Sequence, residues 1–297
     1  MSAQSTEAAA QSTHRGRPLG PGLYLVATPI GSADDVTLRA LSVLREADLL
    51  AAEDTRRARK LMELHGVRLD GRRMLAYHDH NGPTQRPAIL DALAAGQSVA
   101  YLSDAGTPLI ADPGYRLVEA AQAAGHRVHA VPGASAVLAA LSVAGLPTDR
   151  FFFAGFPPVK PGAQARSFAE LAPLPASLVF FEAPRRVAAT LAAMAEIFGP
   201  ERPVALCREL TKRHEEVRRG NLGALAAALA AEPVPRGEIV LVLGPPLPVA
   251  AAEADIDTAL RAALATMSAK DAVRAVADAT GAPRRMVYAR ALEIGRE

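Results

Sequence analysis

Short apolar runs alternate along this chain with stretches in which apolar residues return at helical spacing. Leu23 to Thr28 reads as a strand, and Thr37 to Leu44 as a helix entered through a cap at Asp34 or Asp35. The same alternation predicts a strand at Asp48 to Ala52, a helix at Arg57 to His65, a short strand at Met74 to Tyr77 and a helix at Pro87 to Ala95. A strand at Val99 to Leu102, a helix at Tyr115 to Ala124 and a strand at Val128 to Val131 complete the series. Helices between successive strands are the crossovers that parallel pairing requires, so the order implies an α/β fold with a mostly parallel, helix-covered sheet.

Pro132-Gly133-Ala134-Ser135-Ala136 is a turn feeding an Ala- and Leu-rich helix that ends at Gly145-Leu146-Pro147. Beyond it the apolar strands Phe151 to Phe153, Leu178 to Phe181, Val204 to Cys207 and Ile239 to Leu243 are separated by helical stretches, which places a second α/β domain there. Gly244-Pro245-Pro246-Leu247-Pro248 is a stiff linker by composition. Asp257 to Leu264, Lys270 to Thr280 and Arg284 to Ile294 then form a small helical appendage. The expected organisation is a disordered tail over 1–20, α/β domains over 21–133 and 134–245, and a helical domain over 250–297.

Half of the 297 residues are hydrophobic, enough for a substantial core, and no apolar run reaches the length of a bilayer span. Met1 to Gly20 lacks the apolar core of a secretion signal; Arg15 and Arg17 suit a transit peptide, but Glu7 and the absence of an amphipathic pattern count against one. The only cysteine, Cys207, excludes an intrachain disulfide and fits a reducing cytoplasm; its apolar run makes it a core residue rather than a nucleophile. A net charge of +2 does not announce a nucleic-acid partner. Local clusters at Arg56 to Lys60, Arg185-Arg186, Lys212-Arg213 and Arg218-Arg219 are compatible with phosphate contacts or with solvated faces.

The densest chemistry sits in Ser103-Asp104-Ala105-Gly106-Thr107-Pro108-Leu109-Ile110-Ala111-Asp112-Pro113-Gly114, directly after the strand Val99 to Leu102. Open α/β sheets bind ligands in the crevice outside their strand ends, and glycine lets a ligand approach the backbone. Asp112 has two readings, ligand contact or cap of a helix starting near Pro113. There is no dinucleotide fingerprint after the first strand and no phosphate loop; Thr28-Pro29-Ile30-Gly31-Ser32 stands there instead. Ala52-Glu53-Asp54-Thr55-Arg56 ends the second strand, and Asp54 suits either a site or a helix cap. His78-Asp79-His80-Asn81 follows the third, but two histidines without further ligands do not make a zinc site, so no metal is expected. Phe180 to Arg186 and Arg208 to Glu216 bring carboxylates and cations to strand ends of the second domain.

These segments, in this order, resemble the bacterial ribosomal RNA small subunit methyltransferase I family, of the tetrapyrrole-methylase-like class. The match runs from Gly22 to about Gly244 and includes Gly145 to Phe151, Arg208 to Lys212 and Gly237 to Val240, with a weaker signal at Lys270 to Ala272 and Val287-Tyr288. The resemblance implies a two-domain fold with a mostly parallel first sheet and a mixed second one. It implies methyl transfer from S-adenosylmethionine to the ribose 2′-hydroxyl of a cytidine in the decoding region of 16S rRNA, within the 30S subunit, by a cytoplasmic homodimer. Pro29, Ser103, Asp104, Gly106, Thr107, Ile110, Ser135, Ala136, Phe181 and Leu210 would then contact the cofactor. The chain departs from the usual pattern at Ser32, Ala111, Ala134 and Arg185.

A ribose hydroxyl is a poor nucleophile until its proton is taken, so a base is expected; Glu53, Asp54, His78 and Glu182 are unranked candidates. Arg56, Asn81, Arg185 and Lys212 are expected to contact RNA. A methyltransferase acting on a tetrapyrrole-type small molecule and a catalytically silent ribosome-binding factor are the alternatives.

Overall fold

Five strands, β1 (Gly22–Val26), β2 (Leu49–Ala52), β3 (Arg73–Ala76), β4 (Ser98–Leu102) and β5 (Val128–Val131), pair in parallel in the order β3-β2-β4-β1-β5 in the computed structural model of the protein. The structure describes residues 19–78, 80–247 and 253–295. Most of the expected N-terminal tail, Asp79 and the linker's Pro248 lie outside the described residues. Every residue of β2 and β4 is buried, because α1 (Leu38–Glu46), α2 (Thr55–Leu64), α3 (Gly82–Ala94) and α4 (Tyr115–Ala123) accompany a sheet covered on both faces. Leu44, Leu50 and Leu102 pack in one cluster, Ile89, Tyr101 and Leu117 in another. The chain leaves β1 toward β2 and leaves β4 toward β5, in opposite directions from neighbouring strands. Such a point opens a crevice at the strand ends.

Ser135 caps α5 (Ala136–Ala144), and Gly145 ends it in the left-handed region at φ 71°. This helix packs Val137, Ala140 and Leu141 with Val179, Cys207 and Val240 of the second sheet. That sheet comprises β6 (Phe151–Gly155), β7 (Ser177–Glu182), β8 (Pro203–Arg208), β9 (Glu216–Asn221) and β10 (Ile239–Leu243), ordered β6-β7-β10-β8-β9. Only β6 and β7 run parallel, so the sheet is mixed. Phe168 of α6 (Pro161–Leu171), Leu191 of α7 (Val187–Phe198) and Leu225 of α8 (Leu222–Ala231) join Phe180, Leu206 and Leu241 in its other cluster. Cys207 is fully buried in the core, and desolvation pushes its thiol up to about 11.

Four local expectations are corrected. Asp34 and Asp35 lie in a short 3-10 turn, and the Thr37 side chain caps α1 instead. Asp112 caps nothing: α4 starts at Tyr115 behind Gly114, with no side-chain cap. The third helix begins at Gly82, with Pro83 in its first turn and Pro87 inside it, so the second proline does not mark the start. The Arg218-Arg219 cluster, for which no strand was expected, lies in the edge strand β9 (Glu216–Asn221), held by β8.

Contacts divide the chain into two units, through Pro245 and from Pro246. In the second, α9 (Glu253–Leu264), α10 (Ala269–Thr280) and α11 (Arg284–Ile294) enclose Ile256, Leu260, Val276 and Val287. Among the described residues no helix is long and apolar enough to cross a membrane.

Candidate active site

The loops leaving β1 and β4 are zipped together by Thr28 and Gly106, which exchange two backbone hydrogen bonds of 2.9 Å. The Thr28 hydroxyl donates to the Ser103 carbonyl (3.2 Å), and the Ser103 hydroxyl donates to the Gly106 carbonyl (2.6 Å). At φ 82°, position 106 favours glycine. Thr107 donates to the Ala134 carbonyl at 3.1 Å, tying in the turn that enters α5. These loops and the facing ends of β7 and β10 enclose a cavity of about 310 Å³. Ile30, Val137, Phe156, Phe181 and Val240 give it an apolar lining, with Asp112, Glu182 and Glu238 as its carboxylates. The Phe181 ring is met edge-on by Phe153 at 4.9 Å and Phe156 at 5.6 Å.

Asp104 is not among the residues that line the cavity. Its carboxylate accepts the Asp54 backbone N–H at 2.8 Å and pairs with Arg57 at 3.6 Å, which joins the second strand's loop to the fourth's. Asp112 lines the cavity, and its shielded Oδ2 has no hydrogen-bond partner among the described residues. Burial, then the negative charges of Glu53 and Asp104, push its carboxyl up to about 7. Leu109 (φ 74°) and Ala111 (φ 59°) hold this loop in the left-handed region, which costs on the order of 1–2 kcal/mol per non-glycine residue. The Tyr101 hydroxyl pins it by donating to the Pro113 carbonyl at 2.9 Å.

Of the expected cofactor contacts, Gly106, Thr107, Ile110, Ser135, Ala136 and Phe181 come together around the cavity. Pro29, Ser103, Asp104 and Leu210 are not in the lining; Leu210 is buried against Ile30. Glu182 reaches it, but its Oε2 accepts from the Thr190 hydroxyl (2.6 Å) and its Oε1 from the Ala183 N–H (2.7 Å), with Arg186 at 3.5 Å. Asp54 caps α2 and holds Arg56 by two hydrogen bonds, of 3.1 and 2.7 Å, which keep its carboxyl far below the usual carboxylate range. Asn81 closes the turn after β3, accepting from the His78 N–H and donating to the Ala76 carbonyl. The Lys212 ammonium is held by Glu209 (2.8 Å) and Glu238 (2.9 Å), while Arg185 is exposed. His78 lies outside the cavity lining, with a shielded Nδ1 that has no partner among the described residues. Among those residues no group of three or more His, Cys, Asp or Glu is arranged to hold a metal.

Sequence reasoning missed Phe156, and it gave the Gly237 to Val240 wall, quoted only as part of the resemblance, no role in the site. β10 runs antiparallel to β7, so it brings its beginning, not its end, to the crevice. A rule that looks only after strands passes over Gly237-Glu238.

Residues 22–226 match the family model for tetrapyrrole (corrin/porphyrin) methylases, and residues 250–295 match that of the RsmI C-terminal HTH domain. A protein of Mesorhizobium japonicum named ribosomal RNA small subunit methyltransferase I is 51% identical, with 94% of each chain covered. The chain belongs to the ribosomal RNA small subunit methyltransferase I family. Relatives of that name from Erythrobacter litoralis (48% identical, 96% of this chain and 99% of that one) and Mycobacterium tuberculosis (44%, 93% and 96%) cover it equally fully. Among solved structures, uroporphyrin-III C-methyltransferase from Thermus thermophilus complexed with S-adenosylhomocysteine shares the fold (TM-score 0.52, 22% identity, 75% of this chain and 97% of that one). A conserved hypothetical protein from Aeropyrum pernix K1 does so at TM-score 0.61 and 19% identity over 94% and 97% of the two chains. The family's methylase match thus takes in the first sheet and the second through β9, including the zipped loops; its helical domain is α9 to α11, where Gly281 to Pro283 join the last two helices.

Proposed function

We propose that this cavity receives S-adenosylmethionine and that the protein transfers its methyl group to the ribose 2′-hydroxyl of a cytidine in the decoding region of 16S rRNA. Membership of the family makes the protein an S-adenosylmethionine-dependent rRNA methyltransferase. The cytidine, its 2′-oxygen and the assembled 30S subunit are the finer part of the reading, supported by the motif resemblance at Ala52 to Arg56 and His78 to Asn81. The observation that carries it is the cavity between the zipped Ser103 to Gly114 loop and the second sheet.

The residues present fit the cofactor. A volume of about 310 Å³ is within the range of small-molecule sites, and the apolar wall of Ile30, Phe181 and Val240 suits a nucleoside. Asp112 and Glu238 give a negative edge for a ligand carrying sulfonium and ammonium charges. When bound, S-adenosylmethionine supplies an electrophilic methyl whose sulfur departs as a neutral thioether. The apolar wall excludes water, and the zipped loops hold their backbone in place, so that positioning supplies much of the acceleration. A base must still accept the hydroxyl proton. Among the four sequence candidates, Asp54 and Glu182 have their oxygens engaged, so the reading favours Glu53 and His78 over either. The exposed Arg185 is the proposed phosphate contact; Arg56, although its side chain is 88% exposed, and Lys212 and Asn81 would first have to break the bonds they make.

The reading includes a homodimer working in the cytoplasm. Phe151 and Phe152 of the edge strand β6, each 45% exposed, and Tyr115 at 67% are apolar surface that a second copy would cover. Sedimentation would detect it. For activity, the purified protein is incubated with labelled S-adenosylmethionine and 30S particles, bare 16S rRNA or uroporphyrinogen. Label is expected on the RNA; label on the porphyrin alone, or on nothing, would overturn the reading.

A further inference from the structure

We propose that a basic pocket at the amino ends of β1 and β5 binds a backbone phosphate of the rRNA, away from the nucleotide that is methylated; the assignment rests on the rRNA-methyltransferase reading above. The pocket has a volume of about 780 Å³, and Tyr24, Arg39, His126, Arg127 and His129 contribute to its lining. Among the described residues no Asp or Glu lines it. Neither arginine side chain has a hydrogen bond or ion pair among those residues, whereas Arg57 is spent on Asp104, Arg208 on Glu216 and Arg218 on Glu232. Cations that converge on one pocket without a carboxylate keep their donors for an anion from outside, and the planar arginine fork matches phosphate oxygens.

Local packing shapes this pocket. Tyr24 and His129 are partners in the register of β1 and β5, and their rings stack at 4.6 Å and 19°. The Tyr24 hydroxyl, pushed up chiefly by burial, keeps its proton and donates to the Gly20 carbonyl at 2.9 Å, which fixes the rim. Gly22 (φ 149°) lets the histidine ring lie close over the strand, because a Cβ there would stand 3.1 Å from that ring and 2.9 Å from the Arg127 carbonyl oxygen. Glu46, the last residue of α1, acts on Tyr24 from outside the lining. From Gly22 to Thr28 of the zipped loops the chain covers about 20 Å, at roughly 3.3 Å per residue. A phosphate held here therefore belongs to RNA beyond the reacting nucleotide, and the contact serves substrate affinity rather than the chemical step.

The test uses the full chain carrying Arg39→Gln with Arg127→Gln, beside Arg45→Gln with Arg73→Gln, which removes two exposed cations of the same domain outside the pocket. Filter binding to 30S particles and to bare 16S rRNA is followed from about 50 to 200 mM salt. The pocket variant should bind both about tenfold more weakly, and its slope of log affinity against log salt should be shallower by about 1.4–1.8, at roughly 0.7–0.9 per lost phosphate contact. The loss should fall on KM, with kcat at saturating 30S and S-adenosylhomocysteine affinity within about twofold of wild type, and Arg39→Lys with Arg127→Lys should restore the slope. Unchanged affinity and slope would overturn the assignment, as would a loss no larger than that of the Arg45 and Arg73 variant or one matched by a fall in S-adenosylhomocysteine affinity. A loss for 30S particles with bare rRNA unaffected would reassign the pocket to an acidic ribosomal protein and overturn it too. So would ATP, titrated by calorimetry, that binds the wild type and not the pocket variant while rRNA affinity is untouched, since the pocket would then serve a free nucleotide. A wild type that binds 16S rRNA through Arg39 and Arg127 yet methylates no RNA would uphold the pocket and sink the methyl-transfer reading instead.

Discussion

Gly31→Ala tests whether the β1 loop and the second sheet must touch for the site to exist. Position 31 is not in the left-handed region, so alanine is acceptable to the backbone and only contact is being tested. A Cβ there would stand 2.8 Å from the Leu210 carbonyl oxygen and 2.6 Å from Lys212 Cγ, with Thr211 Oγ1 closer still. Ordinary contact begins near 3.4 Å, so the carbonyl alone demands a retreat of about 0.6 Å (3.4 − 2.8). That segment is backbone, fixed by the Lys212 N–H to the Glu209 carbonyl and by the Ser32 N–H to Thr211 Oγ1 at 3.1 Å, and cannot swing aside as a side chain would. Overpacking of this kind costs about 1–3 kcal/mol, and at 2–4 °C per kcal/mol the melting temperature should fall by roughly 2–12 °C. Ile30, next in the chain, lines the cavity, so S-adenosylhomocysteine affinity should fall as well, and methyl transfer by about 10–100-fold from misplacement. Differential scanning fluorimetry and calorimetry read both effects. Gly220→Ala, with nothing within 4 Å, is the control and should change neither. A Gly31→Ala protein with wild-type melting temperature and affinity would refute the claim that this close approach shapes the site.

Thr190→Val removes the donor to Glu182 Oε2 at a residue only 2% exposed and should cost about 1–3 kcal/mol in chemical denaturation; an unchanged midpoint would show that Glu182 finds another donor. The raised Asp112 carboxyl works against folding: the native state binds the proton more tightly than the unfolded one, so the penalty is absent below about pH 4, grows up to about 7 and is complete above it. Asp112→Asn should therefore match wild-type stability near pH 4 and exceed it near pH 8 by about 1–2 kcal/mol after solvent screening; equal stability at pH 8 would contradict the raised value. Cys207, fully buried with its thiol near 11, should resist alkylation at pH 8 in the native protein and react once urea unfolds it; stoichiometric labelling of the native state would count against the core placement.

The parallel sheet was legible because β2 and β4 are continuous apolar runs, the mark of strands buried on both faces, with helical spacing between them. The charged Glu216–Asn221 strand was not, since an edge strand is held by β8 rather than by its own hydrophobic pattern. Around the cavity, Gly106, Thr107 and Ile110 lie in the loop singled out because it follows a strand, whereas Gly237 to Val240, quoted only as part of the resemblance, were given no site role because antiparallel pairing reverses which end faces the crevice. Asp112 shows a subtler gap. Asp before Pro is as good a cap as a ligand group in local sequence, and only the backbone turning at Leu109 and Ala111 decides that it faces the cavity.

The claim on which the rest depends is methylation of one ribose oxygen in small-subunit RNA. The direct measurement is nucleoside mass spectrometry of 16S rRNA after incubation of 30S particles lacking the modification with the protein and deuterated-methyl S-adenosylmethionine. The account predicts labelled 2′-O-methylcytidine at a single decoding-region position. Label on a base carbon or nitrogen, on another nucleoside, or on no RNA at all would contradict it.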